Sequence, residues 1–279
     1  MSYKLVCIDM DGTLLNSNKK VTEETKRTLL EAKKRGVMVA ISTGRIYNNA
    51  AFYSKYIGLN SPVIAANGAI VKSEAGDELY KGIIGYETSL EVLGILKKYN
   101  MKANFHTHNS IYCGGLLEKL FIYFFITRGI PADYKVNLYS IKSSQWEKIL
   151  FDNQSEILKC ISIHTNKKVV QRAKEELRNI KGIEISSSNS FNIEVNAKGV
   201  CKGKGVEILG EKFGIKKEEI ICIGDNENDL SMIEYAGLGV AMGNAPEYIK
   251  NKADYITSTN NEEGVSKVIK KFILKENII

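Results

Sequence analysis

Short unbroken apolar runs alternate along the first third of the chain with longer stretches whose apolar positions recur every three to four residues. Residues 6–8 (Val-Cys-Ile) run into Asp9-Met10-Asp11-Gly12, residues 37–41 into Ser42-Thr43-Gly44-Arg45, and residues 62–66 into Asn67-Gly68. Runs this short and this apolar fit strands buried on both faces of a sheet. Between the first two lies a helical stretch with a clear start and stop: Thr22 as N-cap, Glu23 and Glu24 in the first turn, Leu29, Leu30 and Ala32 as the apolar stripe, and Gly36 at the end. A second helix is expected over residues 45–57. Strand, helix, strand, helix, strand predicts a doubly wound parallel α/β sheet. A hairpin over residues 69–72 and 79–83, turning at Gly76-Asp77, closes this part.

The texture then changes. Residues 83–190 hold a helix (86–99), strands at 102–106 and 111–113, an aromatic-rich helix (116–127), and a strand–helix–strand unit at 158–164, 167–179 and 183–187. None of these strands ends in an acidic cluster, so the stretch reads as an inserted α+β module without the main chemistry. Residues 191–195 return as a strand toward Lys202, and the parallel pattern resumes. A helix is expected over 202–213, a strand over 220–223 ending in Gly224-Asp225, and a helix over 228–235. A strand over 238–242 then ends in Gly243-Asn244-Ala245, and Pro246 opens a further helix. A strand over 254–256 and a helix over 262–275 close the chain. The organisation expected is a core of residues 1–82 and 191–279 interrupted by a module of residues 83–190.

Composition narrows the class. The 279 residues are 44% apolar and 25% charged, as in a globular protein. The longest strongly apolar run, residues 120–126, is too short to span a bilayer and reads as a buried or interface helix. The first strand starts within a few residues of Met1, which leaves no room for a signal peptide ahead of it. Five scattered cysteines without a Cys-x-x-Cys pair fit a reducing cytoplasm and argue against a zinc site or a disulfide framework. The net charge of +7 is spread along the chain without a dense basic block, so neither nucleic acid nor membrane is expected as a partner.

The candidate chemistry sits at the strand ends, where open α/β sheets bind ligands. Burying Asp9 and Asp11 side by side is costly without a counter-charge, so the pair calls for a divalent cation or a shared proton. An EF-hand is excluded at both acidic segments. Counted from Asp9, its glycine and final glutamate positions hold Leu14 and Lys20; counted from Asp225, they hold Leu230 and Ala236. Gly203-Lys204-Gly205 lacks the spacing of a phosphate-binding P-loop. His106 and His108 lie two apart with no third metal ligand in view, and read as residues of the inserted module.

Four segments therefore place reactive groups on one sheet: Asp9-Met10-Asp11-Gly12-Thr13, Ser42-Thr43-Gly44-Arg45, Lys202, and Gly224-Asp225-Asn226-Glu227-Asn228-Asp229. In that order, with the insert between the second and third and Gly239-Val240-Ala241-Met242-Gly243-Asn244-Ala245 trailing, the chain resembles the haloacid dehalogenase-like hydrolase superfamily in its Cof-type (IIB) phosphatase branch. Ala197 departs from the proline often found before the lysine motif. The resemblance implies a Rossmann-like core with a C2-type cap, magnesium as cofactor, and phosphoryl transfer by way of an aspartyl-phosphate. Asp9 would be the nucleophile. Asp11 would protonate the leaving oxygen and later activate water, its side chain expected on the same side of an extended chain as Asp9. The metal ligands implied are Asp9, Asp225 and, through its backbone carbonyl, Asp11. Met10, Thr43, Gly44, Lys202 and Asn228 would bind phosphate, with Thr43 and Gly44 placed at a helix start. Asp229, Arg45, Asn67 and Gly68 would support them, Asp229 by orienting metal-bound water or Lys202. The expected substrate is a small phosphorylated metabolite, either a sugar phosphate or a cofactor-type phosphomonoester. The expected protein is a cytoplasmic monomer or homodimer. A phosphomutase and a slow phospho-ligand sensor are the alternatives, and an acid at position 11 favours turnover over a long-lived phosphoenzyme.

Overall fold

The architecture was obtained as a computed structural model, which describes residues 2–124 and 130–276. The chain divides into two compact units, one of Met1–Gly44, Tyr53–Tyr80 and Cys201–Ile279 and one of Arg45–Phe52 and Lys81–Val200.

In the first unit, β1 (Leu5–Ile8) lies at the centre of an eight-stranded sheet. Its parallel neighbours are β2 (Met38–Ser42) on one side and β12 (Ile220–Gly224) on the other. Beyond β2 come β3 (Val63–Ala65), β4 (Ile70–Lys72) and β5 (Glu78–Lys81), with β4 antiparallel to β3. Beyond β12 come β13 (Leu238–Ala241) and β14 (Tyr255–Ile256), both parallel. The register pairs Ile8 with both Ile41 and Ile223, so the residues that follow these three strands emerge together at one edge.

Alternation along β1 explains why both faces are covered. Val6 and Ile8 pack with Leu29 and Ala32 of α1 (Glu23–Lys34) and with Val265, Val268 and Ile269 of α10 (Gly264–Ile269). Leu5 and Cys7 face the other way, onto Val206 and Leu209 of α7 (Lys202–Phe213) and Met232 of α8 (Leu230–Tyr235). The start of α1 is as expected, with the Thr22 hydroxyl accepting from the Thr25 amide at 3.1 Å. Leu29 has no exposed surface, and its removal to alanine would cost about 2–5 kcal/mol. Helix α2 (Tyr47–Ile57) starts two residues later than expected, and α9 (Glu247–Lys250) follows Pro246.

The second unit is a six-stranded sheet in the order β10-β11-β9-β6-β7-β8. The strands are β6 (Lys102–His106), β7 (Ser110–Cys113), β8 (Asn137–Ser140), β9 (Lys159–Ile163), β10 (Ile183–Ser186) and β11 (Asn192–Ala197). Helices α3 (Tyr86–Lys98), α5 (Trp146–Asp152) and α6 (Lys167–Leu177) cover one face, with Trp146 packed edge-on against Phe105 at 5.5 Å. The boundary expected before residue 191 falls instead after residue 200. β11 is the reason: it pairs antiparallel with both β9 and β10, which commits it to the second sheet. Of the helix expected over 116–127, α4 (Leu116–Ile122) is seen, and residues 125–127 lie outside the described residues. Its Leu116, Leu117, Leu120 and Phe121 are exposed, so of the two readings, buried or interface, this side of the helix is not buried.

Candidate active site

β1 ends at Ile8, and the next residues fold back at once. The amides of Leu14 and Leu15 donate to the carbonyls of Asp9 and Met10 at 3.1 and 2.8 Å. Gly12 makes the turn with φ +89°, and a Cβ there would stand 2.4 Å from Asp225 Oδ2. Only glycine lets the loop after β1 approach the loop after β12 this closely. The two carboxylates differ in their surroundings. Asp9 is buried, whereas Asp11 is half-exposed and its Oδ1 accepts from Lys19 Nζ at 2.9 Å.

Lys202 organises the buried acids. It opens α7 with no exposed surface, and its Nζ donates to Asp9 Oδ1 at 2.6 Å and to Asp229 Oδ1 at 2.5 Å. Asp229 Oδ2 accepts the amides of Asp225 and Asn226, each at 3.0 Å. Both Asp229 oxygens are therefore engaged, and its part is to hold Lys202 and the turn after β12. Asp225 Oδ1 accepts from the Thr13 hydroxyl at 2.7 Å.

Helix α7 reaches this position through a second close approach. Gly68, with φ +96°, abuts the carbonyl of Cys201, where a Cβ would fall 2.2 Å from the oxygen. Asn67, buried and left-handed at φ 61°, accepts from Asn228 Nδ2 at 3.2 Å, which joins two of the expected residues directly. Thr43 is buried at the end of β2, its amide donating to Ile64 O at 2.8 Å and its carbonyl accepting from Asn67 at 3.0 Å. Gly44 follows it in the loop, three residues before α2, so neither lies at the helix start that was expected. Met10 is buried, and Arg45, in the second unit, donates to Asn49 Oδ1 at 2.8 Å.

Asp9, Asp225 and Asp229 bring carboxylate oxygens within 4.8 Å of one another, the one such metal-competent group among the described residues. His106 and His108 do not form another: His106 is buried, and His108 sits 3.5 Å from Glu156. Burial, and then the charge of Asp229, push the Asp9 carboxyl well above the usual range. The same two causes raise Asp225 to about 6, against the Thr13 hydrogen bond and Lys202. Burial opposes the Lys202 charge, but Asp229 and Asp9 outweigh it and hold the ammonium above the usual lysine range. Three acids against one lysine leave excess negative charge in a buried place. A hard divalent cation fits that donor set, and Asp9 and Asp225 are the members with oxygen to spare for it.

Three further residues join these loops, two of them inside the motif segments quoted from the sequence. Thr13 holds Asp225, and Asn244 Nδ2 donates to the carbonyl of Gly12 at 2.9 Å. Asn260 donates its amide to Asn244 Oδ1 at 3.0 Å and its side chain to Leu15 O at 2.8 Å. Thr13 and Asn244 stand in the motif segments but were given no role there. Asn260 lies in a loop beyond β14, and no pattern marks it.

The sequence matches the haloacid dehalogenase-like hydrolase family over residues 6–269. It is 33% identical over 274 residues to a 5-amino-6-(5-phospho-D-ribitylamino)uracil phosphatase of Bacillus subtilis, covering 98% of this chain and 97% of that protein. A haloacid dehalogenase-like hydrolase of B. subtilis superposes with TM-score 0.85 at 29% identity, over 97% of this chain and 100% of the other. A subclass IIB sugar phosphatase does so with TM-score 0.81 at 27% identity, over 96% and 98%. The chain belongs to the haloacid dehalogenase-like hydrolase family, in its phosphatase branch.

Proposed function

We propose that the protein is a magnesium-dependent phosphatase of small phosphorylated metabolites that works through a phosphoryl group carried on Asp9. The observation that carries the reading is the buried set in which Lys202 bridges Asp9 and Asp229 while Thr13 steadies Asp225. An ionised Asp9 repels a phosphate dianion, and burial already works against its charge. Lys202 and a cation held by Asp9, Asp225 and the Asp11 carbonyl would offset that repulsion. Magnesium, when bound, supplies charge neutralisation and in-line alignment of phosphate and nucleophile.

An Asp9 oxygen forms a bond to phosphorus as the bond to the leaving oxygen breaks, and Asp11 gives that oxygen its proton. Asp11 then takes a proton from water as the water oxygen bonds to phosphorus and the Asp9–phosphorus bond breaks. A well-placed acid–base group of this kind contributes about 10²–10⁴-fold. The Met10 and Gly44 amides, the Thr43 hydroxyl, Lys202 and Asn228 take the phosphate oxygens. Asn67 and Gly68 hold Asn228 and the start of α7 in place, and Asp229 holds Lys202. Arg45 supports the loop after β2. The second unit serves as a cap that selects the leaving group. The relatives favour a sugar phosphate or a cofactor-precursor phosphomonoester as substrate, since one is a sugar phosphatase and another acts on a phosphoribitylamino-uracil.

The test is phosphate release from a panel of phosphomonoesters with and without magnesium, using wild type and Asp9→Asn. Magnesium-dependent release that Asp9→Asn abolishes, with an unchanged circular dichroism spectrum, supports the reading. Wild-type rates from Asp9→Asn sink it. Transfer to a second sugar hydroxyl in place of water would instead indicate a mutase, and tight ester binding without turnover a sensor.

A further inference from the structure

The place of Asp11 depends on its backbone neighbours. Its carboxylate pairs with Lys19 at 2.9 Å, but the two side chains are 41% and 62% exposed, and a pair so exposed fixes little. The next residue, Gly12, has the backbone freedom of glycine and a φ of +89°. On the other side of the turn, Asp11 forms an isolated bridge with Leu15. Whatever holds Gly12 and Leu15 therefore sets the position of the carboxyl proposed to move protons.

Two asparagines do so. Asn244 Nδ2 donates to Gly12 O at 2.9 Å, and Asn260 Nδ2 donates to Leu15 O at 2.8 Å. The Asn260 amide also donates to Asn244 Oδ1 at 3.0 Å, which fixes the way the Asn244 side chain lies. Turned over, Asn244 would set its oxygen against the Gly12 carbonyl and its NH2 against the Asn260 N–H. Ser17 and Asn261 extend the strap with a reciprocal pair, at 3.0 Å from the Ser17 amide to Asn261 Oδ1 and 2.9 Å from Asn261 Nδ2 to Ser17 Oγ. The loops that carry the asparagines are locked to each other. The Gly243 amide donates to Ser258 O at 3.1 Å, and a Cβ at Gly243 would fall 2.9 Å from the Thr259 nitrogen. Asn244 follows β13, and β12 separates β13 from β1. Its side chain thus reaches across the end of β12, where Asp225 abuts Gly12.

We propose that Asn244 is a positioning residue for Asp11: held by Asn260, it fixes the Gly12 carbonyl and so places the Asp11 carboxyl within reach of the leaving oxygen. The proposal rests on the phosphatase reading. An acid works only within hydrogen-bond reach of the atom it protonates. A displacement of about 1 Å can cost about 10²-fold, and a glycine beside the acid is where such a displacement is easiest. Asn244 is itself exposed, so its hydrogen bond contributes position more than stability. Asn260 acts at second hand, on Asn244 through its amide and on Leu15 through its side chain.

The experiment compares kcat/KM on glucose 6-phosphate, whose alkoxide needs a proton to leave, with that on p-nitrophenyl phosphate, whose phenolate does not. Wild type, Asn244→Ala, Asn260→Ala and Asp11→Asn are measured at saturating magnesium. Asn244→Ala should lower glucose 6-phosphate about tenfold, leave p-nitrophenyl phosphate within about twofold, and melt close to wild type. Asn260→Ala should move the ratio of the two esters in the same direction, and Asp11→Asn should move it furthest. Equal losses on both esters with weaker magnesium binding overturn the proposal, because Asn244 would then serve Asp225. No change on either ester also overturns it, as does an Asp11→Asn that lowers both alike. Hydrogen exchange of residues 10–15 reads the strap without turnover and should quicken about tenfold in Asn244→Ala. Unchanged exchange overturns the proposal, and exchange alone decides if wild type accepts only p-nitrophenyl phosphate. All these outcomes leave the phosphatase standing. A wild type that hydrolyses neither ester removes that reading, and the role of Asn244 with it.

Discussion

Lys202 Nζ donates to Asp9 Oδ1 at 2.6 Å, and the lysine has no exposed surface. The proposed nucleophile is thus held by a side chain 193 residues away that also engages Asp229. The contact is a stability element as well as part of the proposed site. Lys202→Met leaves three buried acids without their internal counter-charge and should cost about 3–5 kcal/mol. Urea unfolding of the two proteins in chelator measures it. A change under about 1 kcal/mol would mean that solvent or protonation already relieves the cluster.

Metal should restore what the acids lack. At a magnesium concentration a hundredfold above Kd, binding adds about 2.7 kcal/mol to stability. A rise in Tm on adding magnesium, reversed by EDTA and lost in Asp225→Asn, is the expected outcome. Thr13→Val should weaken the same response without abolishing it, because it frees Asp225 Oδ1 from its hydrogen bond at 2.7 Å.

Gly12→Ala tests the close approach of the loops after β1 and β12. Alanine must adopt φ near +89°, and its Cβ would displace Asp225 Oδ2 from 2.4 Å. A stability loss of about 1–3 kcal/mol is expected from the backbone alone. A larger fall in magnesium affinity than in stability would show that Asp225 has moved.

His106 predicts a pH dependence in the second unit. Its folded pKa is lowered to about 3, first by burial and then by Lys159. The unfolded chain therefore binds a proton below about pH 6.5 that the folded chain refuses until about pH 3. Stability is complete above 6.5 and is lost as pH falls, by up to about 1.4 kcal/mol per pH unit. His106→Asn should flatten that slope in denaturation measured from pH 7 to pH 4. An unchanged slope would assign it to other groups.

The strand ends, the cap of α1 at Thr22 and the motif residues were legible because each depends on local pattern. A buried strand must be apolar, a helix start needs an acceptor, and paired acids beside glycine stand out in any context. The boundary at β11 was not legible, because an apolar run does not say which sheet its hydrogen bonds will complete. Nor was the contrast in exposure between Asp9 and Asp11, since burial depends on which distant segments pack over each side chain.

The sequence by itself determined an α/β core with an insert and singled out the acids, the lysine and the loops at the strand ends. Only the tertiary structure decided which of them meet. Through-space contacts gave Lys202 to both Asp9 and Asp229, tied Asp225 to Thr13 and joined Asn67 to Asn228. Each of these is an interaction between segments distant in the chain, and its strength depends on burial and distance. Neither quantity is present in a one-dimensional pattern.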